Sequence, residues 1–215
     1  MKKARYICLE GVEGVGKTTQ AQKLTQFLIQ QNYSVLHTRE PGTAHIPITM
    51  MLRAIMLDNT YDECLTKESR ELISQAIRSI HVEKLILPAL REYDFVVQDR
   101  GALSGLSYGA ACGNSIIDLI NLSDFICKDK TSIHSLYDDI LILKGNVSSG
   151  LNRALSSKKE FENGDAMESL GEEFLHLVSK NMDKFSIFFK NCHVVNVENK
   201  DIDTVFNEIK YSLGI

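Results

Sequence analysis

Tyr6-Ile7-Cys8-Leu9-Glu10-Gly11-Val12-Glu13-Gly14-Val15-Gly16-Lys17-Thr18 is the stretch that decides how this chain is read. Its last eight residues match G-x-x-x-x-G-K-[ST], a phosphate-binding loop. Alone, the octapeptide would also suit a glycine-rich turn ahead of a helix. Its flanks decide the matter. The apolar run Tyr6–Leu9 reads as a buried strand, and the stretch from about Lys17 to Gln31 reads as a helix. Strand, loop and helix in that order let backbone N–H groups curl around a phosphate chain at the positive end of the helix dipole. Gly11, Gly14, Val15, Gly16 and Thr19 then belong to the cradle. Lys17 reaches the β- and γ-phosphates, and the Thr18 hydroxyl is placed for Mg²⁺.

Four more short apolar runs read as strands: Ser34–His37, Phe95–Gln98, Ile140–Leu143 and His193–Val197. They do not alternate, as expected for strands covered on both faces. Helical segments separate them, at about Pro47–Leu57, Lys67–Arg91, Ala102–Cys112, Ser115–Cys127, Ser148–Ser156, Met167–Phe189 and Ile202–Leu213. Alternation of this kind predicts an α/β fold, a five-stranded parallel sheet with helices on both faces. Nothing in the 215 residues marks a linker, so a single domain over 1–215 is expected.

Composition narrows the function. The formal net charge is −4, from 24 basic and 28 acidic residues, which argues against a general nucleic-acid binder. The five cysteines are scattered without a C-x-x-C pair, and the six histidines are dispersed, so neither a disulfide framework nor a zinc site is expected. Neither a signal peptide nor a transmembrane run is evident, and a cytoplasmic protein is expected.

Several residues fall where a ligand crevice should lie. The C-terminal ends of parallel strands face that crevice. Asp99-Arg100 ends the third run and Arg39 the second, before the turn Pro41-Gly42. Asp99 offers a carboxylate near Mg²⁺ and Arg100 a guanidinium near phosphate. An ion pair at a strand end is the equal alternative. Arg53 and Arg78 lie in expected helices. Arg78 keeps company with Ile73, Ile77 and Ile80, and so requires an anionic or carbonyl partner. Glu13, inside the loop, either faces a second substrate or a Mg²⁺–water shell or is merely exposed.

Glu10-Gly11 through Thr18-Thr19, the turn Arg39-Glu40-Pro41-Gly42, Leu52-Arg53, Asp99-Arg100 with Ser104 and Tyr108, and Gly150-Leu151 with Arg153-Ala154 together resemble the thymidylate kinase (dTMP kinase) family in its bacterial form. The likeness covers nearly the whole chain. It implies a P-loop kinase fold and γ-phosphoryl transfer from ATP to dTMP with Mg²⁺, as a cytoplasmic homodimer. It also implies roles. Lys17 and Thr18 hold donor phosphates and metal, Glu13 meets the sugar or its metal–water shell, and Arg39 and Arg100 lie near the acceptor phosphate. Arg53 and Arg78 line the acceptor pocket, and Ser104 and Tyr108 form its wall.

The chain departs from that pattern in three places. Ser74 stands where a base-stacking aromatic is usual, a loss of about 1–3 kcal/mol per base. Gly109 replaces the glutamine of Ala-Tyr-Gln, which opens the way to other acceptors such as dUMP or dGMP, or to base contacts from Gln75. In the expected mobile lid, about 153–166, Arg153 is kept but later arginines are missing. Asp165-Ala166-Met167-Glu168 replaces Asp-Arg-x-Glu, leaving Lys158 and Lys159 either as lid cations or as a solvated pair. With the lid weakened, a nucleotide-binding regulatory protein on the same fold is the alternative to an enzyme.

Overall fold

The structure is a computed structural model that describes residues 4–126, 135–157 and 165–215. Five strands form one sheet, all pairs parallel: β1 (Arg5–Glu10), β2 (Val35–Arg39), β3 (Phe95–Asp99), β4 (Asp139–Lys144) and β5 (Cys192–Asn196), in the order β2-β3-β1-β4-β5. The order reverses beside β1, so the crevice of a doubly wound sheet opens there. Leu9 and Arg39 both pair with Asp99, which brings the ends of β1, β2 and β3 to one level.

The expectation of strands covered on both faces holds for β1, β3 and β4, which are buried almost throughout. It fails at the sheet edges. Val194 in β5 is exposed and β2 alternates in burial, because an edge strand has a neighbour on one side only.

Helix α1 (Lys17–Gln30) follows the loop and packs on β2, β3 and α9 (Ile202–Leu213). Helices α2 (Pro47–Leu57) and α3 (Lys67–His81) pack together. The expected helix Lys67–Arg91 is not uniform. A π turn, Val82–Ile86, joins α3 to α4 (Leu87–Glu92). Pro88 supplies the reason: it lacks an N–H and crowds the carbonyl one turn back, and a wider turn relieves both. Helix α5 (Ala102–Ala111) packs on α6 (Ile116–Ile126) and α8 (Gly171–Phe185), while α7 (Val147–Ser157) leaves β4. Short 3-10 turns flank α8, so the expected helix Met167–Phe189 is shorter than its pattern. No described helix is long and apolar enough to cross a membrane.

Candidate active site

The loop between β1 and α1 bends back on itself. Gly14 has φ +67°, and a Cβ there would stand 1.9 Å from the Gly150 carbonyl oxygen. Glycine meets both demands, and the loop thereby lies directly against α7. Lys17 is buried, and its Nζ donates to the Val12 carbonyl at 2.6 Å. Burial, with Arg100 adding to it, pulls its pKa down to about 8, against the pull of Asp99, Glu13 and Glu10. The ammonium is thus turned back onto its own loop.

At the end of β3, Asp99 Oδ2 accepts from Thr18 Oγ1 at 2.5 Å. Asp99 Oδ1 is buried and takes no hydrogen bond from the described residues. A carboxylate oxygen left over beside a loop hydroxyl suits a hard divalent cation, so these residues fit Mg²⁺.

Arg100 takes the left-handed conformation at φ 64°. Three contacts hold it there: its N–H donates to Leu9 O at 2.9 Å, Nη1 to Gly11 O at 2.9 Å, and Nη2 to Glu13 Oε1 at 2.7 Å. Strain kept in place by surrounding bonds is typical of functional backbone. Tyr108 donates to Glu13 Oε2, and the Arg100 guanidinium lies over the Tyr108 ring, 5.3 Å from its centroid. Glu13 is therefore a buried hub, which rules out the exposed-loop alternative. Arg100 makes its ion pair with Glu13 rather than with Asp99.

Arg78 is buried, and the partner it requires is Glu40. Nε donates to Glu40 Oε2 at 2.9 Å, and Nη2 approaches the Gly101 carbonyl at 3.4 Å. His81 Nδ1 meets Glu40 Oε1 at 2.9 Å and its Nε2 meets Thr38 Oγ1 at 2.9 Å. Burial alone would raise the Glu40 pKa; the Arg78 charge and the His81 bond outweigh it and hold it at about 2. Arg53 Nη1 donates to Pro41 O at 3.1 Å and is buried, unlike an ordinary helical arginine. Ser104 Oγ donates to Glu10, which also accepts from the N–H groups of Gly101 and Ser104 at 2.9 and 3.2 Å. Glu10 thereby fastens the start of α5 to β1.

Most of these groups, though not Glu10, Thr38 or His81, line one cleft of about 1280 Å³. Arg39 and Arg153 line it from exposed positions, and Arg153 Nε donates to Gly14 O at 3.0 Å. Ser74 lines it half-buried. Lys158 and Lys159, with half of the expected lid, lie outside the described residues. Sequence reasoning assigned no role to Glu40, Glu10, His81 or Glu71. Glu40 and Glu10 sit inside quoted motifs, and Arg78's demand for an anion pointed to a partner without naming it.

The comparisons with known proteins agree with one another. The family model described as thymidylate kinase matches residues 9–209. A thymidylate kinase of Thermosipho africanus is 32% identical over 206 residues, covering 95% of each chain. One from Finegoldia magna is 31% identical over 205 residues, covering 94% of each chain. The crystal structure of thymidylate kinase from Ehrlichia chaffeensis superposes with a TM-score of 0.73 at 24% identity, over 98% of this chain and 99% of that one. At that identity the structural likeness is one of fold.

Proposed function

Since the chain belongs to the thymidylate kinase family, we propose that the two ends of its cleft are the donor and acceptor halves of one phosphoryl-transfer site. The reaction is transfer of the γ-phosphoryl group of ATP to dTMP, giving dTDP and ADP. The observation that supports this division best is the Arg100–Glu13 pair. It ties the end of β3 to the phosphate loop itself, so an anion held by Arg100 lies next to phosphates held by the loop.

Phosphoryl transfer asks the protein mainly for alignment and charge neutralisation. The loop N–H groups and Lys17 hold the donor phosphates. Arg39 and Arg100 hold the acceptor phosphate, whose oxygen is already an anionic nucleophile, so no general base is needed. Glu13 and Tyr108 flank the sugar, Arg53 and Ser104 line its surroundings, and Arg78 faces the base. Thr18 and Asp99 would hold Mg²⁺, which neutralises charge on the donor phosphates when bound.

A coupled ADP-release assay across the common ribo- and deoxynucleoside monophosphates tests the reading. The highest kcat/KM is expected with dTMP. Turnover with none of them would leave a nucleotide-binding protein, and similar rates with several would mean broad acceptor choice. That second reading rests on Ser74, which brings no aromatic face to the cleft.

Arg153 is proposed to close over ATP. It already touches the loop, so Arg153→Ala is expected to lower kcat about 100-fold, the low end of the loss of one group aimed at transition-state charge. Unchanged single-turnover rates would remove it from the mechanism. The whole chain is read as one cytoplasmic kinase unit acting as a homodimer. Ile48, Met51 and Ile55 form an exposed apolar stripe on α2, beside exposed Leu72 on α3, and such a stripe suits a partner subunit.

A further inference from the structure

Arg78 is joined to a chain of polar side chains that no step of the proposed reaction uses. Arg78 Nη1 approaches Gln75 Oε1 at 3.4 Å, and Gln75 Nε2 donates to Glu71 Oε1 at 2.7 Å and approaches Ser123 Oγ at 3.5 Å. Each bond fixes the next. Arg78 can only donate, so the Gln75 oxygen faces it. The Gln75 amide nitrogen must then face Glu71, and Glu71 is left as an acceptor. Gln75 is buried, and Glu71 is nearly so while lining the cleft.

The second Glu71 oxygen, Oε2, lies against Gly109. A Cβ on Gly109 would stand 2.8 Å from Oε2 and 2.8 Å from Leu119 Cδ2. No side chain fits at 109 while Glu71 keeps this place. The amide missing at Gly109 is thus replaced in space by a carboxylate reaching across from α3.

The proposed roles of its neighbours say what this carboxylate meets. Phosphates lie at the loop and Arg100, and the sugar at Glu13 and Tyr108. On the reading above the base lies beside Arg78, and Glu71, joined to Arg78 through Gln75, lines the same cleft. We propose that Glu71 is a specificity-determining residue that reads the acceptor base, accepting a hydrogen bond from a ring N–H. It selects keto bases that carry such a proton, thymine and uracil, over cytosine, whose ring nitrogen presents a lone pair at the same place. Arg78 complements it by donating to the neighbouring carbonyl. This inference rests on the phosphoryl-transfer reading above. Burial, opposed by the Gln75 bond and the Arg78 charge, raises the Glu71 pKa. An N–H donor from the base compensates a buried carboxylate, and a lone pair does not.

The test is kcat/KM for dTMP, dUMP and dCMP at saturating ATP and Mg²⁺, in the unsubstituted enzyme, Glu71→Gln and Glu71→Leu. The unsubstituted enzyme is expected to favour dTMP and dUMP over dCMP by about 100-fold or more. Glu71→Gln can present an N–H where the carboxylate stood. Its dTMP-to-dCMP ratio is expected to fall about tenfold or more, and that of Glu71→Leu likewise, with KM for ATP unchanged. A defect of folding alone would lower all three acceptors together. An unchanged ratio in the variants overturns the proposal. So does equal use of dCMP and dTMP by the unsubstituted enzyme, which requires no variant. Turnover of no acceptor at all by that enzyme would overturn the kinase reading, and this proposal with it.

Discussion

Lys17→Met is expected to lower kcat/KM for ATP by about 100- to 1000-fold, the usual loss when one preorganised charge donor is removed from a phosphoryl or oxyanion site. The methionine keeps the stem that fills the buried position, so the loop should fold as before. The charge alone is lost. In the free protein Lys17 is buried beside Arg100 and bonded to Val12 O, and its pKa is lowered to about 8. Arriving phosphates favour the charged form and must raise it. Above pH 8, therefore, free enzyme has lost the proton that bound nucleotide requires. KM for ATP should rise with pH from about 8 upward, and ATP binding at pH 8 should take up about half a proton. Calorimetry in buffers of different ionisation enthalpy reads that uptake directly. In Lys17→Met both the uptake and this limb of the pH profile should disappear. Their persistence would assign them to another group.

The second large effect is on stability. Glu40→Gln should destabilise the fold by about 3–5 kcal/mol, since it leaves the Arg78 guanidinium buried without its counter-charge. For a chain of this size that is on the order of 10 °C in Tm. The pH dependence follows from Glu40's depressed pKa of about 2. A carboxylate lowered on folding adds stability that is complete above the ordinary carboxylate range. That stability is lost as pH falls from there through about 2. Acid unfolding should accordingly be shallower in Glu40→Gln over that interval. A double change, Glu40→Leu with Arg78→Met, should recover part of the lost Tm but not support dTMP turnover, because neither charge remains buried and Arg78 no longer faces the base. Equal Tm for Glu40→Gln and the unsubstituted protein would show that the pair carries no stability.

Much of the architecture was legible along the chain. Strands β1, β3 and β4 are continuous apolar runs because they are covered on both faces, and that signal is local. Helix α1 was placed by the loop before it. The edge strands and α3 were read less well. Val194 and the alternating burial of β2 depend on which strand lies at the edge, and the π turn depends on Pro88 meeting a helix already docked. At the site, Lys17, Thr18, Asp99, Arg39 and Arg100 could be placed from motif and strand end alone. Arg78's need for a partner was legible; the partner was not, since Glu40 lies 38 positions away.

By itself the sequence determined a nucleotide-binding loop in a parallel α/β sheet, because strand, glycine turn and helix are set by contacts between near neighbours. Only the tertiary structure decided what the charges do. Glu13 inside the loop turned out to be Arg100's partner, Glu40 to be Arg78's, and Glu71 to stand where Gly109 leaves room. The reason is physical. A charge taken out of water must be matched by whatever group the fold brings within about 3 Å, and that group is chosen by how the elements pack, not by its place in the chain.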